Sequence, residues 1–570
     1  MATVSGQEFV IDGDRASAPR RVATALQPRF TVVKDAPRHA RQVWLDTFDW
    51  RLHAAGLVLR QVSSARGGEL LLTTSAGDAL AAQPLVSPVT PGILNGSGPA
   101  APRWPALLGA IPAGPLRERL DPVVEIRALL PLAQVAGTLT QLRVLDGERK
   151  TVARITLEAA TLAGPGGAAL PPRLTLTPVR GYQADTDRAA RLLRAAGDFT
   201  PDPGPAFVDV LTAAGRHPGD YTDQVDVALT AAMPARAALA TILLRVAGVI
   251  EANVGFVLRD VDTEFLHDLR VAVRRTRSAL KLAGDVLPDG LAARFAPEFS
   301  WLGDLTTPVR DLDVYLTGFD EIAAGLHAAV PGDLERVRDH LMKRRVSERR
   351  KLVRGLRSAR FTTLMADWRT ALAPATTTAR TRRKKPAAAM DVGSLAGDRI
   401  AHAYRRVAKR GAAVAAYAPD LPPAEAMHAL RKRGKELRYL LEFFATLYDP
   451  VAHRRAVKDL KGLQDCLGAF QDAEVQRAEM REFAAQMLAQ PGADLPSGVF
   501  PAKKVPSGVI PVSKAEAQEL AATLLAMGEL TAQLHVQQVR AQAEVADRFA
   551  EFARADILRK LGIASPAGGK

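Results

Sequence analysis

The sequence predicts an α+β chain, with a strand-rich N-terminal part of about 200 residues followed by an all-helical remainder. Three observations carry that expectation. Up to about residue 200, short apolar runs alternate with Gly- and Pro-rich breaks, the pattern of strands joined by turns. The segment Pro201-Asp-Pro-Gly-Pro205 then denies the backbone a donor at three positions, which marks a boundary. From about residue 223 the apolar period becomes that of helices, and one basic helical segment occurs twice, 161 positions apart.

Taken in order, Val43-Trp-Leu45, Gly56-Leu-Val-Leu-Arg60, Leu70-Leu-Leu-Thr-Thr74 and Arg173-Leu-Thr-Leu-Thr-Pro178 read as strands, with a helix near Asp185 to Ala196. In the helical part the apolar stretch Ala237 to Ile250 is interrupted by Arg245 and is expected to be too short to span a bilayer. The first helical half closes on Lys343 to Arg360, which holds nine basic residues and one acidic. Pro374 to Pro386 has almost nothing to bury and reads as a linker, and Pro491 to Pro511 as a second flexible insertion. A long helix from about Lys514 to Leu561 completes the chain.

The repeated segment is His267-x-x-Arg270-x-x-x-Arg274-x-x-Arg277, matched by His428-x-x-Arg431-x-x-x-Lys435-x-x-Arg438. The same ungapped offset carries Arg245 onto Arg406, Leu280 onto Leu441, Leu302 onto Leu463, Asp311 onto Asp472 and Val314 onto Val475. A register kept that long means a duplicated structural unit. At roughly 100° per residue, each motif places one imidazole and three cations within a sector of about 80° of a helix surface. Like charges stacked at that spacing repel unless an anion sits among them. Arg offers a rigid fork matched to phosphate oxygens and Lys a point charge, so phosphate is the anion that suits the stripe. Arg245 and Arg406, on the preceding helices, are expected to face the same surface.

The duplicated unit resembles the CHAD domain, the conserved histidine α-helical domain. The His-x-x-Arg helices carry the resemblance, with the helices ending Val309-Arg310-Asp311-Leu312-Asp313-Val314 and Phe470-Gln471-Asp472-Ala473-Glu474-Val475. It covers roughly residues 223 to 560, in halves of about 223–373 and 391–560. The resemblance implies two pseudo-symmetric four-helix bundles, a basic central surface and inorganic polyphosphate as ligand. The carboxylates Asp311, Asp313, Asp472 and Glu474 are expected to pair with the arginines and hold them in place; a metal-carboxylate role is the rival reading. His267 and His428 either contact the anion as imidazolium or orient a neighbouring arginine or a helix start.

Within residues 1 to 200, Leu45-Asp-Thr-Phe-Asp-Trp-Arg-Leu-His-Ala-Ala-Gly56-Leu-Val-Leu-Arg60 is similar to the strand-turn-strand segment of the CYTH domain. That resemblance implies the triphosphate tunnel fold, an eight-stranded antiparallel barrel that binds or cleaves triphosphates with a divalent metal. The departures matter more. Where the family opens with an alternating Glu-x-Glu-x-Lys strand, this chain has Val4, Gly6 and Glu8, so neither leading glutamate is present, and its later acidic strand reads Arg173-Leu-Thr175-Leu-Thr177, with no carboxylate. A lysine expected near Leu70-Leu-Leu-Thr-Thr74 is missing as well. Mg²⁺ needs carboxylate oxygens to be held against phosphate, so the domain is expected to be catalytically degenerate. Arg60 remains as a phosphate ligand or as a structural pairing residue.

Composition agrees with a polyanionic partner. The formal charge is +15 and the sequence pI about 10.0. Aromatics are only 5% of the chain and none interleaves the basic stripes, which disfavours a base-stacking single-strand nucleic-acid binder. The one cysteine, Cys466, excludes an intramolecular disulfide and suits a reducing cytoplasm as a small buried residue. No secretory signal, phosphate loop, nucleophile elbow or HExxH motif is legible. The expectation is therefore a non-enzymatic, cytoplasmic polyphosphate-binding protein, associated with polyphosphate granules, with no cofactor, metal or membrane partner. Its rivals are a metal-dependent triphosphatase or polyphosphatase and a nucleic-acid-binding protein.

Overall fold

The computed structural model describes residues 6–14, 16–64, 67–85, 102–164, 167–201, 206–327, 329–373, 390–489 and 514–563. Val4, most of the proline cluster, the linker and the second insertion named above lie outside the described residues. The chain forms two compact units, one of residues 1–222 with 260–264 and the other of 223–259 with 265–570.

The first unit is built on ten antiparallel strands. They are β1 (Gln7–Ile11), β2 (Thr31–Lys34), β3 (Arg38–Asp46), β4 (Leu57–Ser64), β5 (Gly67–Thr74), β6 (Ala79–Leu85), β7 (Leu130–Leu145), β8 (Thr151–Leu162), β9 (Arg173–Pro178) and β10 (Phe199–Pro201). Five helices join them: α1 (Ala18–Leu26), α2 (Arg51–Ala54), α3 (Pro115–Val124), α4 (Gln183–Ala195) and α5 (Ala206–Ala213). Pairing runs β10-β1-β9-β8-β7-β3-β4-β5-β6, with β2 added to β7. The expected closed eight-stranded barrel is thus replaced, among the described residues, by an open sheet ending on β10 and β6. A physical reason is visible at one edge: β10 is three residues long and ends on Pro201, which has no N–H to give.

Alternation along the strands divides the sheet faces. One face packs Phe9, Ile11, Leu142, Val144, Ile155, Leu174 and Leu176 against α1 and α4. Further along it, Leu45, Leu59, Leu70 and Leu72 pack on α3. The opposite face carries Gln42, Trp44, Arg60, Glu158 and Arg173, and its Trp44, Val58, Val135 and Ala160 are covered by Phe207, Val210 and Leu211 of α5. The strand-turn-strand segment owes its shape to Asp46. Its carboxylate accepts from the N–H groups of Thr47, Leu52 and His53 at 2.7, 2.9 and 2.9 Å, fixing the start of α2. Burial pushes that carboxyl up to about 6 in spite of the three donors.

The second unit is helical: α6 (Ala235–Arg259), α7 (Thr263–Ala283), α8 (Leu291–Thr317), α9 (Phe319–Ala324), α10 (Glu335–Leu356), α11 (Ala359–Leu372), α12 (Val392–Ala415), α13 (Ala424–Phe443), α14 (Pro450–Ala489), α15 (Lys514–Arg554) and α16 (Ile557–Lys560). Adding 161 to α6, α7 and α8 lands on α12, α13 and α14, so the sequence repeat is a repeat of helices. Even the short turns Gly284–Val286 and Ala445–Leu447 correspond. The halves are less separate than two bundles would be. Leu312, Tyr315, Phe319, Val337 and Leu341 of the first share one core with Met480, Phe483, Met527, Leu530 and Leu534 of the second.

The apolar stretch Ala237 to Ile250, too short for a membrane by itself, lies within a longer helix. Helix α6 runs for 25 residues and is the one described helix long and apolar enough to cross by length and composition. Thirteen of those residues are buried, the pattern of a core helix.

Candidate functional site

The two basic stripes lie on α7 and α13, where buried leucines at Leu269 and Leu430 hold the opposite helix face in the core. Four stripe residues come together. Lys435 and Arg431 of α13 share one electrostatic neighbourhood with Arg270 and Arg274 of α7, and each of the three arginines bears on the Lys435 ammonium. Below them stand two carboxylates at equivalent positions of the repeat. Asp311 of α8 lies 3.6 Å from Arg270, and Asp472 of α14 lies 3.9 Å from Arg431. These two carboxylates sense each other, and burial together with Asp472 raises the pKa of Asp311 against the pull of Arg270 and Arg310.

The cluster is cation-rich and poorly compensated. Burial lowers the pKa of both Arg270 and Arg431, with Arg274 acting in the same sense and the aspartates opposing it. Lys435 is affected most: burial first, then Arg431, Arg274 and Arg270, bring its ammonium down to about 7, with only Asp472 opposing. Among the described residues, Lys435 and Arg274 have no hydrogen bond and no ion pair. Arg274 instead lies over the Tyr439 ring, 5.6 Å from its centroid. The buried Nε atoms of Arg274 and Arg431 have no hydrogen-bond partner. Buried donors are normally satisfied, so such atoms mark places where a water or a ligand oxygen belongs.

The other expected residues are placed differently. Arg277 is exposed and lies against Gly303 of α8, where an added Cβ would come 2.7 Å from its guanidinium. Arg438 is tied to Glu442 at 2.8 Å. Arg406 reaches Glu436 at 3.5 Å, a buried carboxylate that also holds Arg433 at 2.7 Å. Arg245 is half-buried on α6, and His267 half-buried near the start of α7. His428 is exposed and stands 3.7 Å from Glu474. Asp313 does not hold a stripe arginine: it is buried against Arg345 of α10 at 2.5 Å. Sequence reasoning passed over Thr307, whose hydroxyl accepts from Arg270 Nε at 3.3 Å, and Tyr439, which aligns with Ser278 and so left no repeat signal. Cys466 is buried, its thiol pushed up to about 11 by burial.

In the first unit, Glu8 is 3.5 Å from Arg173, which is also held by Asp209 of α5 at 2.5 Å. Arg60 donates to Gln42 at 3.3 Å, and Gln42 donates to Glu158 at 2.5 Å. Glu158 is a carboxylate on this face that the motif comparison missed. Leu71 stands opposite Arg60 in the register, and a Cβ at Gly6 would approach the Thr175 methyl to 2.9 Å. Among the described residues, no group of three or more His, Cys, Asp or Glu is arranged to hold a metal ion.

A duplicated helical unit with a cationic seam is what the fold and the site define. The sequence model of the CHAD domain matches residues 241–481, so the second unit contains a CHAD domain. No curated protein matches the chain. Among solved structures, the CHAD domain from the plant Ricinus communis is similar at 25% identity and a TM-score of 0.45, over 58% of this chain and 96% of that one. PptA from Streptomyces chartreusis is similar at 18% identity and a TM-score of 0.37, over 56% and 99%. The Hippeastrum adenylyl cyclase candidate HpAC1, whose structure is described with a dominant triphosphatase activity, is similar at 11% identity and a TM-score of 0.25, over 39% and 100%.

Proposed function

We propose that the protein binds inorganic polyphosphate, without catalysis, at the seam formed by Arg270, Arg274, Arg431 and Lys435. The carrying observation is the uncompensated charge. Four cations share a half-buried site in which Arg274 and Lys435 have no carboxylate partner among the described residues. Repulsion within such a cluster is relieved by a dense, flexible polyanion, and arginine and lysine donors match bridging and terminal phosphate oxygens. Nucleic acid is the weaker reading, because the ring of Tyr439, which lies under Arg274 of the seam, is only 5% exposed. The binding role would bring the protein to polyphosphate granules in the cytoplasm. A titration with polyphosphate of several lengths at two salt concentrations tests this. Affinity should rise with chain length until the seam is filled and fall steeply with salt, as counterion release on a linear polyanion requires. Length-independent or salt-insensitive binding would reject the reading.

The CYTH-like first unit fits a non-catalytic part. Gly6, Thr175 and Thr177 stand where carboxylates are needed, Glu8 and Glu158 are engaged by Arg173 and Gln42, and α5 covers one end of that sheet face. With Mg²⁺ or Mn²⁺ the purified protein should release no phosphate from triphosphate above an enzyme-free control. Turnover abolished by replacing Glu8 or Glu158 would show that a metal site survives there.

A further inference from the structure

The offset that aligns the basic stripes also aligns four charged residues beside them, and there the signs are inverted. Arg275 corresponds to Glu436, and Lys281 to Glu442, each 161 positions on. In the folded unit Arg275 Nε meets Glu442 at 3.0 Å and Lys281 Nζ meets Glu436 at 2.7 Å. These are one contact repeated by a two-fold: the first position of each half meets the second position of the other. Such reciprocity is the geometry of an isologous interface. The charges, however, are not isologous, since the first half carries two cations and the second two carboxylates.

This arrangement discriminates between partners. A first half facing another first half would oppose Arg275 and Lys281 twice, and a second half facing its like would oppose Glu436 and Glu442 twice. Burial keeps the penalty high. Arg275 and Glu436 each retain 9% of their side-chain exposure and Glu442 19%, so solvent screens these three little, whereas Lys281 is 54% exposed and the larger penalty falls on the Arg275 contact. The surroundings reinforce the sign. Glu436 also gathers Arg433 and Arg406, Glu442 takes Arg438, and Arg275 donates to the Asp223 carbonyl at 2.6 Å.

We propose that α7 and α13 are a keyed pair, in which charge inversion makes the first half accept the second half as partner and reject a copy of itself. The inverted positions would then serve as a specificity device: repulsion against the wrong partner is built in together with attraction for the right one. This inference stands apart from the ligand reading, since none of its four residues belongs to the proposed seam.

Two double variants of the full chain test it, equal in net charge and sharing Glu442→Lys. In Lys281→Glu/Glu442→Lys, both contacts within the chain become like-charged: Arg275 faces the introduced ammonium, and Glu436 faces the introduced carboxylate. Each half is then complementary to its own copy. In Arg275→Glu/Glu442→Lys both contacts within the chain stay opposite in sign. The first variant should melt about 5 °C or more below the second and should sediment with a concentration-dependent mass above the parent's. The second should keep the parent's mass. Failure of the first to fold while the second folds also upholds the keying. A shared melting midpoint, or a first variant that keeps the parent's mass at every concentration, overturns it.

Discussion

Replacing Arg270, Arg274, Arg431 and Lys435 together by alanine is expected to lower affinity for long-chain polyphosphate by about a thousandfold or more, at roughly 1–2 kcal/mol for each charge-assisted contact. The helices should stay folded, for reasons visible in the site. Arg270 and Arg431 reach their aspartates only at 3.6 and 3.9 Å, and Arg274 and Lys435 reach none among the described residues. Loss of those long pairs is offset by relief of repulsion among four half-buried cations, so the melting midpoint should move little. The control removes the same charge from Arg380, Arg382, Arg383 and Lys384, in the segment the sequence reads as a linker. It should cost far less, because charges in a segment whose composition gives it almost nothing to bury are expected to act singly and to be screened by salt. Equal losses in isothermal titration of the two quadruple variants would mean that net charge alone binds, and that the seam is a structural feature.

Why these four residues were legible, and others not, follows from the range of the interactions involved. A helix face is set by spacing within a dozen residues, so His267 to Arg277 and His428 to Arg438 announced their stripes and the repeat confirmed the register. Which members of a stripe converge depends on how α7 crosses α13, and no spacing encodes that. Arg277 and Arg438 share the sector of their neighbours yet turn aside to Gly303 and to Glu442. Asp313 shows a related limit. It stands two residues on from Asp311, about 200° further round the helix, which puts it in the core against Arg345, a residue within the basic run Lys343 to Arg360. The pairing of Glu442 with Arg275 and of Glu436 with Lys281 left no signal in the sequence, because it joins residues of the two halves of the chain. In the first unit the apolar runs located β3, β4, β5 and β9 but not the longest strands, β7 and β8, and closure depends on the edges of the sheet, where β10 is too short to announce itself in an apolar pattern.

The pH dependence of binding should isolate Lys435. Its ammonium is brought down to about 7 by burial and by Arg431, Arg274 and Arg270, with Asp472 of α14 the opposing charge. An ordinary lysine titrates near 10.4, so in the free protein Lys435 is largely neutral above about pH 7.5. A bound polyanion among the same cations favours the charged form and raises that value, so binding takes up a proton wherever the free and bound values bracket the pH. The sign follows: affinity is flat at low pH, where Lys435 is already charged, and falls as pH rises above about 7. Between about pH 7.5 and 9 the loss should be on the order of tenfold, a window in which internal phosphates stay ionised. Lys435→Arg keeps its charge throughout and should hold the high-affinity plateau across the window. Lys435→Ala should be equally flat but weak. Stability of the ligand-free protein should shift the opposite way. The folded value lies below the unfolded one, so the unfolded chain holds more protons between about pH 7 and 10, and Lys435 becomes less costly to the fold as pH rises. A parent whose affinity for polyphosphate is unchanged across that same alkaline window, or a Lys435→Arg variant that falls with it, would place Lys435 outside the binding seam.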